Sequence, residues 1–216
     1  MKGLMSNQQL LISSLIEHSG KYHGEREIVQ CLPDGNIEIT NYKNTLLRIK
    51  KLSQSLYDLD VKLGDRIATL AWSNIRHFEL YYGVSGIGAI CHTINPRLFK
   101  EQIIYIINDA KDKLIFLEID FIDVIVEISD ELKTLEKIII LGTKKDIPKN
   151  LNINIEIISY EELIERTSPI KKWPDFSENV ASSLCYTSGT TGNPKGVLYS
   201  HRSTIIHTLA AANPDA

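Results

Sequence analysis

Tyr186-Thr187-Ser188-Gly189-Thr190-Thr191-Gly192-Asn193-Pro194-Lys195-Gly196 is the stretch on which the reading of this chain turns. Glycines at 189, 192 and 196 predict a backbone that turns through positive φ and approaches a ligand closely. Successive N–H groups in such a turn converge on one concavity and hold an anion. Thr187, Ser188, Thr190 and Thr191 supply hydroxyl donors, and Lys195 supplies a cation that reaches a phosphate oxygen. Pro194 stiffens the loop just ahead of that lysine. Together these groups suit a polyphosphate. The loop is not a Walker A motif, which needs Gly-Lys followed by Ser or Thr, whereas Lys195 follows Pro194 and precedes Gly196. It is not a dinucleotide fingerprint either, and Gly86-Ile87-Gly88 finds Cys91 where a third glycine would stand. The plain alternative is a flexible Gly/Thr-rich turn with an exposed lysine.

Strand candidates flank the loop at Ala181 to Tyr186 and Lys195 to Ser200, and His201 to Ala212 reads as a helix. Working back, Ser168 to Asn179 carries Pro169, Pro174 and adjacent charges and reads as a surface connection. Before it runs a βα rhythm. Strands are predicted at Arg66–Ala71, Ala89–Thr93, Lys113–Leu117, Lys137–Leu141 and Ile153–Ile158. Helices alternate with them: one capped by Ser73 or Asn74 and running to about Gly86, then Lys100–Asn108, Phe121–Leu132 and Glu161–Arg166. Such alternation implies an α/β fold with a mostly parallel sheet covered by helices on both faces. The lead-in, 1–65, holds a short amphipathic helix at Leu10–His18 and a hairpin of Glu27–Cys31 and Ile37–Thr40 about Pro33-Asp34-Gly35-Asn36. A helix from Lys43 to Leu59 follows, with Leu46, Ile49, Leu52, Leu56 and Leu59 on one face. The expected organisation is 1–65 lead-in, 66–167 sheet unit, 168–180 linker, and 181–216 loop and following helix.

The chain has 216 residues, enough to bury a substantial core, and a formal net charge of -3, which argues against a general nucleic-acid binder. Cys31, Cys91 and Cys185 form no CxxC pair and no Cys/His cluster has zinc spacing, so no metal ligands are assigned and a reducing compartment is expected. No secretory signal and no apolar run long enough for a membrane span is present, so the expected location is cytoplasmic.

The loop string resembles the phosphate-binding motif of the adenylate-forming (AMP-binding) superfamily, which contains acyl-CoA synthetases, luciferases and the adenylation domains of peptide synthetases. The resemblance runs from about Ile39 to the C-terminus. Gly86-Ile87-Gly88-Ala89, His92-Thr93-Ile94-Asn95-Pro96-Arg97-Leu98, Gln102-Ile103-Ile104-Tyr105-Ile106 and Asp112-Lys113 are similar to the medium- and long-chain fatty acyl-CoA ligase branch. So is Gly196-Val197-Leu198-Tyr199-Ser200-His201-Arg202-Ser203-Thr204 after the loop. Ligases of short or sulfur-containing acids, such as methylmercaptopropionate, share similar strings, so the acid stays open.

The resemblance implies the N-terminal part of the large domain of such an enzyme, and a two-step reaction. A carboxylate attacks the α-phosphate of ATP to give an acyl-adenylate and pyrophosphate, and the thiol of coenzyme A then displaces AMP. Mg2+ would offset phosphate charge. Thr187, Ser188, Gly189, Thr190, Thr191, Gly192 and Lys195 would hold the β- and γ-phosphates, with Lys195 offsetting the charge of the leaving pyrophosphate. No general base is assigned, because the carboxylate is already ionised. The implied partners are a medium or long acyl carboxylic acid and, when full length, a second copy of the chain in a homodimer. The sequence ends at Ala216, and the family's later Tyr-Gly-x-Thr-Glu and Thr-Gly-Asp segments, hinge and C-terminal lysine have no counterpart. The expectation is therefore a truncated piece without the C-terminal domain, from an incomplete reading frame, inactive alone. A non-catalytic nucleotide-binding module and a degraded fragment are the competing readings. Open strand edges and uncovered apolar faces predict self-association.

Among other residues, Cys185 reads as structural, His201 as a helix-start or packing residue, and His92 as packing beneath the substrate region. Arg97 reads as a surface or interface salt bridge, Lys144-Lys145 and Lys171-Lys172 as solvated charges, and Trp72 and Trp173 as core or edge packing.

Overall fold

A computed structural model of the protein describes residues 1, 3–32, 35–187 and 192–213. Helix α1 spans Ile12–Tyr22, beginning and ending later than the amphipathic pattern predicts. Tertiary bonds set its start: the N–H of Leu10 donates to Glu178 Oε2 (2.8 Å) and that of Ile12 to His201 Nδ1 (3.1 Å). Strands β1 (Glu27–Cys31) and β2 (Ile37–Asn41) pair antiparallel from Glu27↔Asn41 to Cys31↔Ile37, as the hairpin reading predicts. Pro33 and Asp34 of its turn lie outside the described residues. Helix α2 (Tyr42–Asp58) starts at Asn41, whose side chain accepts the Asn44 N–H at 2.9 Å, an N-cap bond. Its apolar stripe buries Ile49, Leu52 and Leu56 completely.

The βα rhythm follows with β3 (Arg66–Leu70), α3 (Ile75–Gly86), β4 (Ile90–Thr93), α4 (Lys100–Ala110), β5 (Leu114–Leu117), α5 (Ile122–Ile128), β6 (Lys137–Ile140), β7 (Glu156–Ser159) and α6 (Tyr160–Glu165). Asn74 is the cap of α3, accepting the His77 N–H at 2.9 Å. The predicted helix over Phe121–Leu132 is broken into α5 between two 3₁₀ turns, Ile119–Phe121 and Ser129–Glu131. Ser129 Oγ bonds back to the Val126 carbonyl (2.8 Å), and Asp130 and Glu131 sit at the negative end of the helix dipole, which disfavours continuation. The strand predicted at Ile153–Ile158 lies at Glu156–Ser159, because its partner β6 begins at Lys137, paired with Glu156. The chain closes with β8 (Ala181–Thr187), β9 (Lys195–Ser200) and α7 (His201–Ala211).

These strands form a seven-stranded sheet in the order β7-β6-β5-β3-β4-β8-β9. Every neighbouring pair is parallel except β8–β9. The order explains the two helical layers. The chain steps from β3 to β4 in one direction and from β4 back across β3 to β5 in the other. Because such crossovers are right-handed, the two connecting helices fall on opposite faces. Ile67, Cys91, Leu114, Phe116 and Ile139 pack with α2, α3 and α6. The alternate residues Ala68, Leu70, Ile115, Leu117, Ile138 and Ile140 pack with α4 and α5. All four residues of β5 are buried, which is why that strand reads as an unbroken apolar run.

One charged cluster lies within the helical layer. Arg48 donates to Glu79 (2.5 Å) and Glu161 (2.9 Å), Arg76 also reaches Glu161 (2.8 Å), and the Tyr160 hydroxyl donates to Glu79 (2.6 Å). Burial works against the Arg48 charge, but the bonds from Glu79 and Glu161 more than offset it and hold the guanidinium's pKa above its ordinary value. This cluster ties α2, α3 and α6 together. Residues 168–180 run across the same layer: Ile170 is buried, its N–H donating to the Lys50 carbonyl (3.2 Å), and the Trp173 ring fills the space over Gly86, leaving no room for a Cβ there.

Candidate phosphate-binding site

Strand β8 joins the parallel sheet through Cys91↔Ser183, His92↔Leu184 and Thr93↔Cys185. It runs parallel to β4, so the loop after it emerges at the carboxyl edge of the parallel strands. Strand β9 returns antiparallel, with Thr187↔Lys195 and Tyr186↔Gly196 as the closing pairs. The loop is thus the tip of a hairpin whose stem is locked in register, and that pairing brings the predicted residues Thr187 and Lys195 opposite one another. Ser188, Gly189, Thr190 and Thr191, also predicted site residues, lie outside the described residues. Gly192 has φ 97°, the left-handed region in which a side chain is strained. Thr187 and Lys195 are both exposed, and Lys195 forms no ion pair among the described residues.

Gly196 departs from the predicted role. Among the described residues the positive-φ glycines are Gly35, Gly64, Gly88 and Gly192, so Gly196 does not supply a left-handed turn. It is a strand residue with side chains packed close over it: a Cβ there would lie 3.1 Å from Tyr186 Cζ and 3.2 Å from Leu184 Cδ1, so these would have to shift by a few tenths of an ångström. The Tyr186 ring therefore lies across β9 at the base of the loop. Its hydroxyl donates to Asp109 Oδ2 (2.6 Å) in the last turn of α4, and its ring centroid is 5.2 Å from that of His92. Burial first, then the Asp109 carboxylate, raise the phenol's pKa and keep it protonated.

His92 is fully buried and hydrogen-bonded through Nδ1 to Asp112 Oδ2 at 2.7 Å, so it packs beneath β8 and touches no open surface. Burial pushes the Asp112 carboxyl upward against the pull of His92. Cys185 is half-buried with its Sγ 3.2 Å from Thr93 Oγ1. The three cysteines are free, and burial pushes the Cys91 thiol up to about 12. His201 opens α7, accepts the Ile12 N–H, and packs edge-on against Phe176 at 5.1 Å, a helix-start and packing role. Arg97 is exposed and makes no ion pair among the described residues. Trp72 lies at an edge, bonded to Asp120 (2.8 Å) with its ring tilted against that of Phe121 at 5.0 Å, while Trp173 donates to Glu17 (3.0 Å).

The connections leaving β3 and β5 run to opposite sides, so their carboxyl ends form the switch-point crevice of the sheet, where ligands bind in open α/β folds. A cavity of about 310 Å³ opens there, lined by Leu70, Pro96, Leu98, Ile103, Phe121 and Val124 among others. Among the described residues no group of three or more His, Cys, Asp or Glu side chains is arranged to hold a metal ion. None of the links at Asp109, Asp112 or Glu79 is visible in the sequence. The Tyr186–Asp109 bond alone joins residues 77 positions apart, and no local pattern marks its ends.

Residues 16–215 match the family described as AMP-binding enzyme. Among curated relatives, a medium-chain-fatty-acid–CoA ligase of Ectopseudomonas oleovorans is 48% identical over 100% of this chain and 39% of its own length. A 3-methylmercaptopropionyl-CoA ligase of Ruegeria lacuscaerulensis is 46% identical over 100% of this chain and 40% of its own. A long-chain-fatty-acid–CoA ligase of Thermus thermophilus is 35% identical over 98% of this chain and 37% of its own. The chain thus spans about two fifths of the length of these relatives. Among solved structures, an anthranilate CoA ligase in complex with anthranoyl-AMP superposes with TM-score 0.77 at 21% identity, covering 92% of this chain and 37% of that one. At that identity the likeness concerns the fold, an α/β sheet domain.

Proposed function

Because this chain belongs to the AMP-binding enzyme family, we propose that it supplies the phosphate-binding part of an ATP-dependent acid–thiol ligase acting on medium- or long-chain carboxylic acids. The observation that carries the reading is the stem of the loop. Thr187 and Lys195 close it at the carboxyl edge of a parallel sheet, and Lys195 stands exposed and unpaired among the described residues.

In the proposed reaction a carboxylate oxygen bonds to the α-phosphorus of ATP. The bond from that phosphorus to the bridging oxygen breaks, and pyrophosphate leaves with the electron pair. The sulfur of coenzyme A then bonds to the acyl carbon, AMP leaves, and the thiol proton passes to solvent. Both steps separate or move phosphate charge, so positioned cations and hydrogen-bond donors are the catalytic means. Lys195 offsets charge building on the leaving pyrophosphate. Thr187, Gly192 and the loop residues Ser188, Gly189, Thr190 and Thr191 donate to the β- and γ-phosphates. A magnesium ion bound to the nucleotide would supply further positive charge. The organisation carried into this reading is 1–65 lead-in, 66–167 sheet unit, 168–180 linker and 181–216 loop and helix. Among the described residues no helix is long and apolar enough to cross a membrane, and the proposed setting is the cytoplasm.

The test is carboxylate-dependent exchange of labelled pyrophosphate into ATP by the whole protein, with fatty acids of graded length and 3-methylmercaptopropionate as separate arms. Lys195→Ala is expected to slow exchange about a hundredfold, the cost of removing one preorganised charge-stabilising donor. Exchange at the unaltered rate would remove the role given to Lys195.

A further inference from the structure

We infer that Tyr186 and Asp109 form a latch that sets the angle at which the phosphate loop leaves the sheet, making Tyr186 a positioning residue for the nucleotide. The inference rests on the phosphate-binding reading of the loop.

At its loop end the hairpin has few other ties, the Ser182 Oγ bond to the Tyr199 carbonyl lying at the far end of the stem. Strand β9 pairs with β8 alone and is the outer strand of the sheet. Its residues are exposed along most of its length. Pairing with β8 fixes its register, and β8 itself is paired to β4 only over Ser183 to Cys185, so Tyr186 and Thr187 at the loop end of the stem extend past the parallel pairing. A register irregularity between Ala181 and Ser183 interrupts the ladder at the far end of the stem. At the loop end, Tyr186 is the side chain that crosses the gap. One side of its ring lies over Gly196, and it also contacts the imidazole of His92. The hydroxyl is tied to Asp109.

Both partners of the ring trace to the end of one helix. Asp109 lies in the last turn of α4. Asp112, which holds His92, follows the left-handed turn at Lys111 (φ 55°) that ends that helix, and its N–H donates to the Ile107 carbonyl at 3.1 Å. Helix α4 packs through Ile103, Ile106 and Ile107 into the sheet core. The tyrosine thus ties a lightly held hairpin to a firmly packed helix, one residue before Thr187. The bond is exposed and its acceptor is a carboxylate, so its loss costs the core little and falls on loop geometry.

Four forms of the protein test the latch: unaltered, Tyr186→Phe, Asp109→Ala and Asp109→Asn. The Asp109→Asn form keeps an oxygen that accepts from the phenol. Three quantities are measured on each: thermal midpoint, ATP affinity by calorimetry, and amide hydrogen exchange. The expected result is that Tyr186→Phe and Asp109→Ala weaken ATP binding by about two- to fivefold. Exchange at Thr187, Lys195 and Gly196 speeds by a similar factor relative to Ile115 and Ile139, the midpoint stays close to the unaltered value, and Asp109→Asn restores both. Native exchange and native affinity in Asp109→Ala would overturn the latch, and so would an Asp109→Asn form that behaves like Asp109→Ala. If the unaltered protein does not bind ATP, the phosphate reading fails separately, and the exchange rates alone decide the latch.

Discussion

At one edge of the seven-stranded sheet, β7 presents four residues, paired with β6, mostly partly buried and flanked by the Lys137–Glu156 ion pair. At the other edge, β9 presents six, with Val197, Leu198 and Tyr199 all exposed. The β7 side belongs to a half of the sheet in which β5 and β6 bury apolar side chains on both faces, so area removed from water holds it together. The β9 side is held by a small number of polar ties at particular atoms: Tyr186 to Asp109, Ser182 Oγ to the Tyr199 carbonyl (3.0 Å), and His201 to Ile12. One half resists perturbation through bulk, and the other depends on individual bonds. The half that depends on bonds is the one that carries the loop.

That contrast can be broken by experiment. The largest effect belongs to the buried half. Phe116→Ala removes a fully buried ring packed edge-on against Tyr160, and is expected to lower stability by about 3–5 kcal/mol in denaturant unfolding. A loss below about 1 kcal/mol would mean that this half does not rest on packing. An intermediate effect belongs to the ties. Burial lowers the His201 pKa to about 4. The unfolded chain, with a value near ~6.5, then binds more protons in the interval between. The associated stability is fully present above pH ~6.5 and is lost as pH falls through that interval towards 4, by roughly 2–3 kcal/mol. Thermal unfolding against pH measures it, and His201→Asn, which keeps an acceptor for Ile12, should flatten the profile. A profile equally steep in that variant would place the pH sensitivity elsewhere. The smallest effect on stability belongs to the exposed edge. Leu198 is 58% exposed, and Leu198→Lys should change stability by less than about 0.5 kcal/mol while reducing self-association in sedimentation. Unaltered sedimentation would show that β9 is not the adhesive edge.

Legibility in the sequence follows the same division. Strands such as Lys137–Ile140 and helices such as Tyr42–Asp58 announce themselves because burial imposes a period on their apolar residues. The loop is visible because its residues are chemically distinctive and contiguous. What stays hidden is whatever depends on pairing between distant segments. Gly196 looks like a third turn glycine, and only the Tyr186↔Gly196 register reveals that it clears space for a ring. Glu79 looks like an ordinary helix-surface acid until α2 and α6 bring Arg48 and Tyr160 to it. The end of α5 is set by a serine back-bond that the apolar pattern does not encode.

The crossover that leaves β4 beside β8 also has a consequence for synthesis on the ribosome. Thr93 and Cys185, which meet across that strand pair, are 92 positions apart. At about 5–20 residues per second the outer edge of β4 waits roughly 5–20 s for its neighbour, while β3, β5, β6 and β7 are already available to pair. During that interval the nascent chain displays an unpaired strand from the middle of its future sheet, and the segment that silences it is the one that carries the phosphate loop.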